Sequence, residues 1–269
     1  MKLAIYSHCA LDTITIDGNS YEQIGGAASY CGIMARELKF DVELFTKFGP
    51  DFPKQYLVDK KINLVNSESD KNTTKFSISI SGSDRTLKLE NECDPIDYSD
   101  INVNGHIVSP IFHEISEDVF KKIKTNSNFL FVDPQGFLRQ TDSENNIILK
   151  KTNLDLSDVD AIKINPEEGK NIVNGTHDEM MLALQKKGIE HVLLTDKTNV
   201  SLLIKNRIYS LKLPNKTIHD TTGIGDIFCS TFTCTMLKEK DFLWALCFAA
   251  GSAQAALESN NVGLQKIPK

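Results

Sequence analysis

Apolar residues along the chain fall into two alternating rhythms. Short apolar runs at 2–6, 42–46, 107–109, 129–132, 161–164 and 192–195 read as strands, several of them of the kind buried on both faces of a parallel sheet. Between them lie stretches with helical spacing. Ala28, Cys31, Ala35 and Leu38 recur every three or four residues, so a helix over 27–38 begins directly after Gly25-Gly26. Residues 116–123 and 178–187 predict further helices, the second closed by Gly188 at its C-cap. A helix after Gly225 and another over 241–258 complete the pattern.

One segment breaks the rhythm. Phe76, Ile78 and Ile80 alternate with Lys75, Ser77, Ser79 and Ser81; Gly82-Ser83-Asp84 interrupts, and Thr86-Leu87-Lys88-Leu89 alternates again. That predicts a β-hairpin with one polar face, standing partly clear of the main sheet. Residues 21–24 form a short extended piece, Gly49-Pro50 a turn, and 200–204 with 207–213 a second hairpin. No repeat, low-complexity tract or Pro-rich linker interrupts the chain. The expected fold is α/β: a doubly wound, mostly parallel sheet flanked by helices, one domain over 1–269 with a small β lid at about 72–92.

Composition excludes more than it selects. The 269 residues are 41% hydrophobic and 25% charged, the balance of a soluble globular protein with enough apolar surface to fold. Thirty Lys and Arg against 36 Asp and Glu give a net charge of −6, which argues against general nucleic-acid binding. The N-terminus does not read as a signal peptide, and no run approaches the roughly 18 apolar residues of a membrane span. The longest candidate, 242–257, contains Ser252 and Gln254. Six cysteines show no Cys-x-x-Cys pair and no histidine at metal-ligand spacing, so they read as structural thiols in a reducing, cytoplasmic setting.

The segment richest in chemistry is Asp220-Thr221-Thr222-Gly223-Ile224-Gly225-Asp226, with a helix following. Two glycines one residue apart let consecutive backbone N–H groups converge, and the helix adds its positive dipole end. Such a spot suits the charge on a phosphoryl group in transit. Asp226 could take the proton from an attacking hydroxyl. On spacing alone, a turn with Asp as N-cap remains an alternative.

This stretch resembles the C-terminal signature of the ribokinase-like (PfkB) family of sugar and nucleoside kinases, Asp-Thr-x-Gly-Ala-Gly-Asp, with Ile224 in place of Ala. The resemblance implies that Asp226 is the catalytic base and that Gly223, Ile224 and Gly225 supply oxyanion-hole amides. It extends over nearly the whole chain. Asp12, after the first strand, falls where the family binds substrate hydroxyls, and Gly25-Gly26 resembles the N-terminal signature, where substrate lies against bare backbone. Asn165-Pro166-Glu167-Glu168 resembles the Asn-x-x-Glu element, with Asn165 near the donor phosphates and Glu168 supporting Mg²⁺. Residues 131–139 follow a buried strand; Arg139 there contacts a substrate anion or pairs with Asp133. Hairpin 75–89 matches the family's lid. ATP, Mg²⁺ and a monovalent cation such as K⁺ are implied cofactors, a small sugar-like molecule the substrate, and a lid-mediated homodimer the assembly.

The sequence also departs from the pattern. Tyr30 stands where the N-terminal signature often carries Asn, and Asp196-Lys197-Thr198-Asn199 replaces a Gly-containing loop beside the nucleotide. Thr195 remains as a hydroxyl donor there, while the choice between ATP and another nucleoside triphosphate stays open. His8 either reads a substrate hydroxyl or is a satisfied core histidine. Pentose, hexose, cyclitol and nucleoside substrates all fit, although few aromatics near the pocket disfavour a stacked base. The rival readings are a nucleoside or vitamin-alcohol kinase of the same family and a catalytically silent ligand-binding relative. A Rossmann dehydrogenase is excluded because no Gly-x-Gly-x-x-Gly follows the first strand.

Overall fold

A computed structural model describes residues 1–81, 84–214, 220–259 and 261–269. Its strands in chain order are β1 (Lys2–Tyr6), β2 (Ala10–Ile16), β3 (Asn19–Gly25), β4 (Asp41–Phe45), β5 (Ile62–Val65), β6 (Thr74–Ser81), β7 (Asp84–Asn91) and β8 (Gly105–Val108). They continue with β9 (Leu130–Val132), β10 (Arg139–Thr141), β11 (Ile147–Leu149), β12 (Ala161–Ile164), β13 (His191–Asp196), β14 (Asn199–Ile204) and β15 (Arg207–Lys212). The α-helices are α1 (Ala27–Glu37), α2 (Gln55–Asp59), α3 (Glu117–Thr125), α4 (Gln135–Leu138), α5 (Pro166–Ile172), α6 (His177–Lys186), α7 (Ile224–Glu239) and α8 (Phe242–Glu258).

Nine strands form one sheet in the order β15-β14-β13-β12-β9-β8-β1-β4-β5. From β13 to β5 every pairing is parallel; β14 and β15 add an antiparallel edge. The apolar runs follow from this arrangement. Leu3 and Ile5 of β1 enter a core with Ile107, Phe131 and residues of α1, α7 and α8. Ala4 and Tyr6 point the other way, into a second core with Val108, Val132, Phe120 of α3 and Leu184 of α6. Alternate side chains thus feed opposite faces, and both faces exclude water.

The lid is larger than a hairpin. Its four strands run in the order β3-β2-β6-β7, with β2 parallel to β6 and the outer pairs antiparallel. The expected hairpin over 75–89 is its second half; Gly82 and Ser83 of the expected turn lie outside the described residues. The first half, β2–β3, exists because Thr13-Ile14-Thr15-Ile16 alternates and Asp17-Gly18 supplies two positive φ angles, 47° and 84°. Ile14, Phe76 and Ile78 face inward against Ile111 and Phe112. Thr13, Thr15, Ser77 and Ser79 occupy the alternate positions.

Among the described residues no helix is long and apolar enough to cross a membrane. All six cysteines are free, and all but Cys247 are buried.

Candidate active site

Parallel strands deliver their following residues to one edge of the sheet, the usual ligand side of such folds. Asp133 follows β9, Asn165 follows β12, and the N-terminus of α7 faces them across a cavity of about 250 Å³. The lid contributes the opposite wall, with Asp12, Phe76, Ile78, Arg85 and Leu87.

The loop before α7 turns through Gly223, whose φ of 78° and ψ of −4° are left-handed. A Cβ there would also overlap the ring of Tyr30, which α1 holds against this loop. Helices α1 and α7 are pinned together by Ser230 Oγ donating to the Cys31 carbonyl at 2.8 Å. Gly223, Gly225 and Asp226 line the cavity. Ile224 does not: its side chain packs against the core, and its N–H donates to the Thr221 carbonyl at 3.3 Å. The Ile-for-Ala change therefore leaves the cavity uncrowded.

Burial pushes the Asp226 carboxyl up to about 7; the charge of Asp133 adds to this, and Lys163 and Arg139 oppose it. Behind it sits a buried ion pair. Lys163 Nζ lies 2.6 Å from Asp133 Oδ2 and 4.0 Å from Glu168 Oε2. Burial alone would discharge this lysine, but Asp133 and Glu168 hold its pKa well above the ordinary value. A Cβ added to Gly225 would lie 3.4 Å from the same ammonium.

Asp12 sits on β2, on the cavity side of the lid sheet and 4% exposed. Burial raises its carboxyl to about 7, against the charges of Arg85 and Arg139. Its Oδ1 has no hydrogen-bond partner, nor does the buried hydroxyl of Tyr30. Buried polar atoms are normally satisfied. These two unpartnered oxygens belong to residues lining the same cavity. Gly25 lies outside the cavity lining but against Asp12: a Cβ there would overlap the carboxylate. Gly26, with φ of 81°, caps α1 and packs on the His8 carbonyl.

Arg139 does not pair with Asp133, whose partner is Lys163. Its guanidinium donates to the Ile111 carbonyl and Gln135 Oε1, both at 2.9 Å, and lies 5.9 Å over the Phe76 ring. Asn165 and Glu168 form a capping box on α5. Asn165 Oδ1 accepts from the Glu167 and Glu168 amides, and Glu168 Oε2 accepts from the Asn165 N–H at 2.9 Å. Both also line the cavity, so the plain helix start and the site element are the same residues.

Thr195, on β13, is not among the cavity-lining residues. His8 is a core histidine: Nδ1 meets Thr74 Oγ1 at 2.9 Å and Nε2 meets the Asp94 carbonyl at 2.8 Å. Burial, the largest influence, pulls its pKa down and favours the neutral ring. Sequence reasoning missed Lys163, hidden inside an otherwise apolar strand, and Arg85, one cation among many on a polar hairpin. Arg85 reaches from β7 across the cavity, with Nη1 and Nη2 each 3.5 Å from the hydroxyls of Thr221 and Thr222. A lysine in a fully buried strand was the available signal for the first; the second had none.

The sequence profile of pfkB family carbohydrate kinases matches residues 20–269. No curated protein matches the sequence at a significant level. Among solved structures, a pyrophosphate-dependent kinase in the ribokinase family, complexed with a pyrophosphate analog and myo-inositol, has a TM-score of 0.86 and 19% identity, with 98% of each chain covered. Ribokinase from Thermotoga maritima has a TM-score of 0.74 and 15% identity, covering 100% of this chain and 96% of that one. Arabidopsis thaliana ribokinase, complexed with ribose and ATP, has a TM-score of 0.74 and 15% identity, covering 99% and 95% respectively.

Proposed function

The chain belongs to the pfkB family of carbohydrate kinases, and from that premise we propose that it phosphorylates a hydroxyl of a sugar-like or cyclitol substrate, with ATP as donor and Mg²⁺ as counter-ion. The observation that carries this reading is Asp226: a half-buried carboxylate in the first turn of α7, raised to about 7 by desolvation, beside Gly223 and Gly225. A base of that pKa is ready at neutral pH. Its carboxylate takes the hydroxyl proton as the substrate oxygen attacks the γ-phosphorus and the bond to the leaving nucleoside diphosphate breaks. The α7 N-terminus stabilises the charge on the transferring group. Lys163, behind Gly225, adds positive potential, and Arg139 flanks the acceptor.

Asp12 and Tyr30 receive the acceptor, since their unpaired oxygens suit neighbouring hydroxyls. Gly25 and Gly26 keep that wall low. Asn165 stands beside the donor phosphates. The described residues contain no group of three or more His, Cys, Asp or Glu able to hold a metal. Glu168, a cavity carboxylate with one oxygen already bonded to backbone, fits a cation held mainly by water and donor phosphate. Bound there, Mg²⁺ would offset phosphate charge.

Size and shape favour a small polyol over a nucleoside. A cavity of about 250 Å³ is at the low end for small-molecule sites. The Tyr30 ring is already packed on Gly223, and Arg139 covers Phe76, so neither face is free for a base. The test is a phosphorylation screen of purified protein against pentoses, hexoses, inositols and nucleosides with ATP and Mg²⁺. Turnover with an inositol or sugar is the expected result; turnover confined to nucleosides would overturn it.

A second donor, inorganic pyrophosphate, is favoured by one comparison. The pyrophosphate-dependent kinase scores 0.86 against 0.74 for the ribokinase complexed with ATP. Thr195 stands apart from the cavity, and Arg85, Arg139 and Lys163 line it among the carboxylates Asp12, Asp133, Glu168 and Asp226. The same screen run with each donor separates the two.

A further inference from the structure

A monovalent cation such as K⁺ is bound by carbonyl and carboxylate oxygens that replace its water. Oxygens of that kind lie directly under the loop that leads into α7, and they are already taken. Lys266, at the end of a single 3₁₀ turn (Gly263–Lys266), is 3% exposed. Its ammonium donates to Asp220 Oδ2 at 2.7 Å, the Thr222 carbonyl at 3.0 Å and the Asp220 carbonyl at 3.4 Å. Three N–H donors thus meet three acceptors, the full capacity of a lysine. The other carboxylate oxygen, Asp220 Oδ1, accepts from the Thr222 N–H at 2.8 Å. Burial alone would raise the Asp220 carboxyl, but the Lys266 bond and charge hold it below its ordinary value.

We infer that Lys266 is a built-in monovalent cation: its ammonium occupies the oxygen cradle beneath Asp220–Thr222, so the chain holds its anion-hole loop in place without potassium. The inference rests on reading Asp220–Asp226 as the phosphoryl-transfer loop. A free cation does not fit beside it. The oxygens are engaged, and a second positive charge in a buried site would face the ammonium without water between them. The position matters because Thr222 immediately precedes Gly223, whose left-handed turn sets the direction of the first α7 amides. Lys266 is therefore a positioning residue. It touches neither the cavity nor any reacting atom, and it acts through the carbonyl it grips.

Thermal melting at matched ionic strength tests this without any substrate, so a failed acceptor screen leaves it intact. The wild-type Tm is expected to agree within about 1 °C between potassium, ammonium and choline chlorides. Lys266→Ala leaves an acidic, oxygen-lined hole and lowers Tm by roughly 10 °C in choline chloride. Potassium or ammonium then restores about half of that loss, saturably. Lys266→Met fills the space without charge and is not rescued. A purely structural lysine would give Ala and Met variants with the same salt response, which overturns the inference. Saturable stabilisation of the wild type by potassium over choline overturns it as well, and this comparison decides alone if neither variant folds.

Discussion

Lys163 and Asp133 form an ion pair of 2.6 Å with both side chains under a tenth exposed, in the floor of the cavity beneath Gly225. Breaking a buried pair from one side leaves a bare charge, at about 3–5 kcal/mol. Lys163→Met is expected to lower Tm by roughly 10 °C and kcat by about 10²-fold. The double variant Lys163→Met/Asp133→Asn regains much of the Tm but not the kcat. A double variant as active as wild type would show that the lysine only balances charge.

Asp226→Asn keeps the shape of the base and removes its proton affinity. Substrate affinities stay near wild type, while kcat falls on the order of 10²–10⁴-fold. Stopped-flow or steady-state turnover checks this, and an Asn variant within a few-fold of wild type removes Asp226 from the proposed role.

The pH dependence of the same residue has a definite sign. Asp226 is raised from 3.8 to about 7, so it is protonated and idle below that value. kcat should fall about tenfold per unit as pH drops below 7. Stability runs the other way. A carboxyl with a raised folded pKa binds its proton more tightly when folded, so its contribution is lost as pH rises through 7. Asp226→Asn should therefore melt several degrees above wild type at pH 8, by about 2–4 °C per kcal/mol, and converge with it only as pH falls toward the unfolded value of 3.8. Parallel melting curves at every pH would contradict the burial of that charge.

Gly25→Ala places a methyl group where the Asp12 carboxylate stands. Displacing a positioning group by about an ångström costs on the order of 10²-fold in kcat/KM. KM for the acceptor should carry most of the loss, and KM for the donor should hardly move.

Arg85 is exposed on the lid and contributes little to folding, yet it reaches the hydroxyls of both Thr221 and Thr222. Arg85→Ala should keep its Tm and lose roughly 10-fold or more in kcat/KM. Arg85→Lys should not restore it, because one ammonium cannot span two hydroxyls as a planar fork does.

The main sheet and the lid hairpin were legible because parallel strands buried on both faces and a half-buried hairpin leave unlike patterns. Helix α7 was announced by its own glycines. The strand carrying Asp12 is harder to see, because Ala10-Leu11-Asp12-Thr13 breaks the alternation that Thr13-Ile14-Thr15-Ile16 and the Asp17-Gly18 turn carry. Lys163 illustrates a different limit. A charge within an apolar run says that a partner must exist, but Asp133 lies 30 residues away and only the β9–β12 pairing brings them together. Lys266 and Asp220, 46 residues apart, meet for the same kind of reason, through a C-terminal turn with no local signature.

The four-stranded lid is fixed at its root. Only Ser7, His8 and Cys9 separate β1 from β2, and only Gly26 separates β3 from α1. The His8 and Cys9 amides are anchored to Glu114 Oε1 at 2.8 Å and Thr46 Oγ1 at 2.7 Å. The sheet therefore projects from one joint over a span of about 20 Å. Arg85 lies at the far end of that span and Asp12 near the joint, so any tilt about the root would displace Arg85 most and Asp12 least. The residue proposed to receive the acceptor thus sits on the shortest lever arm of the lid, and the one beside Thr221 and Thr222 on the longest.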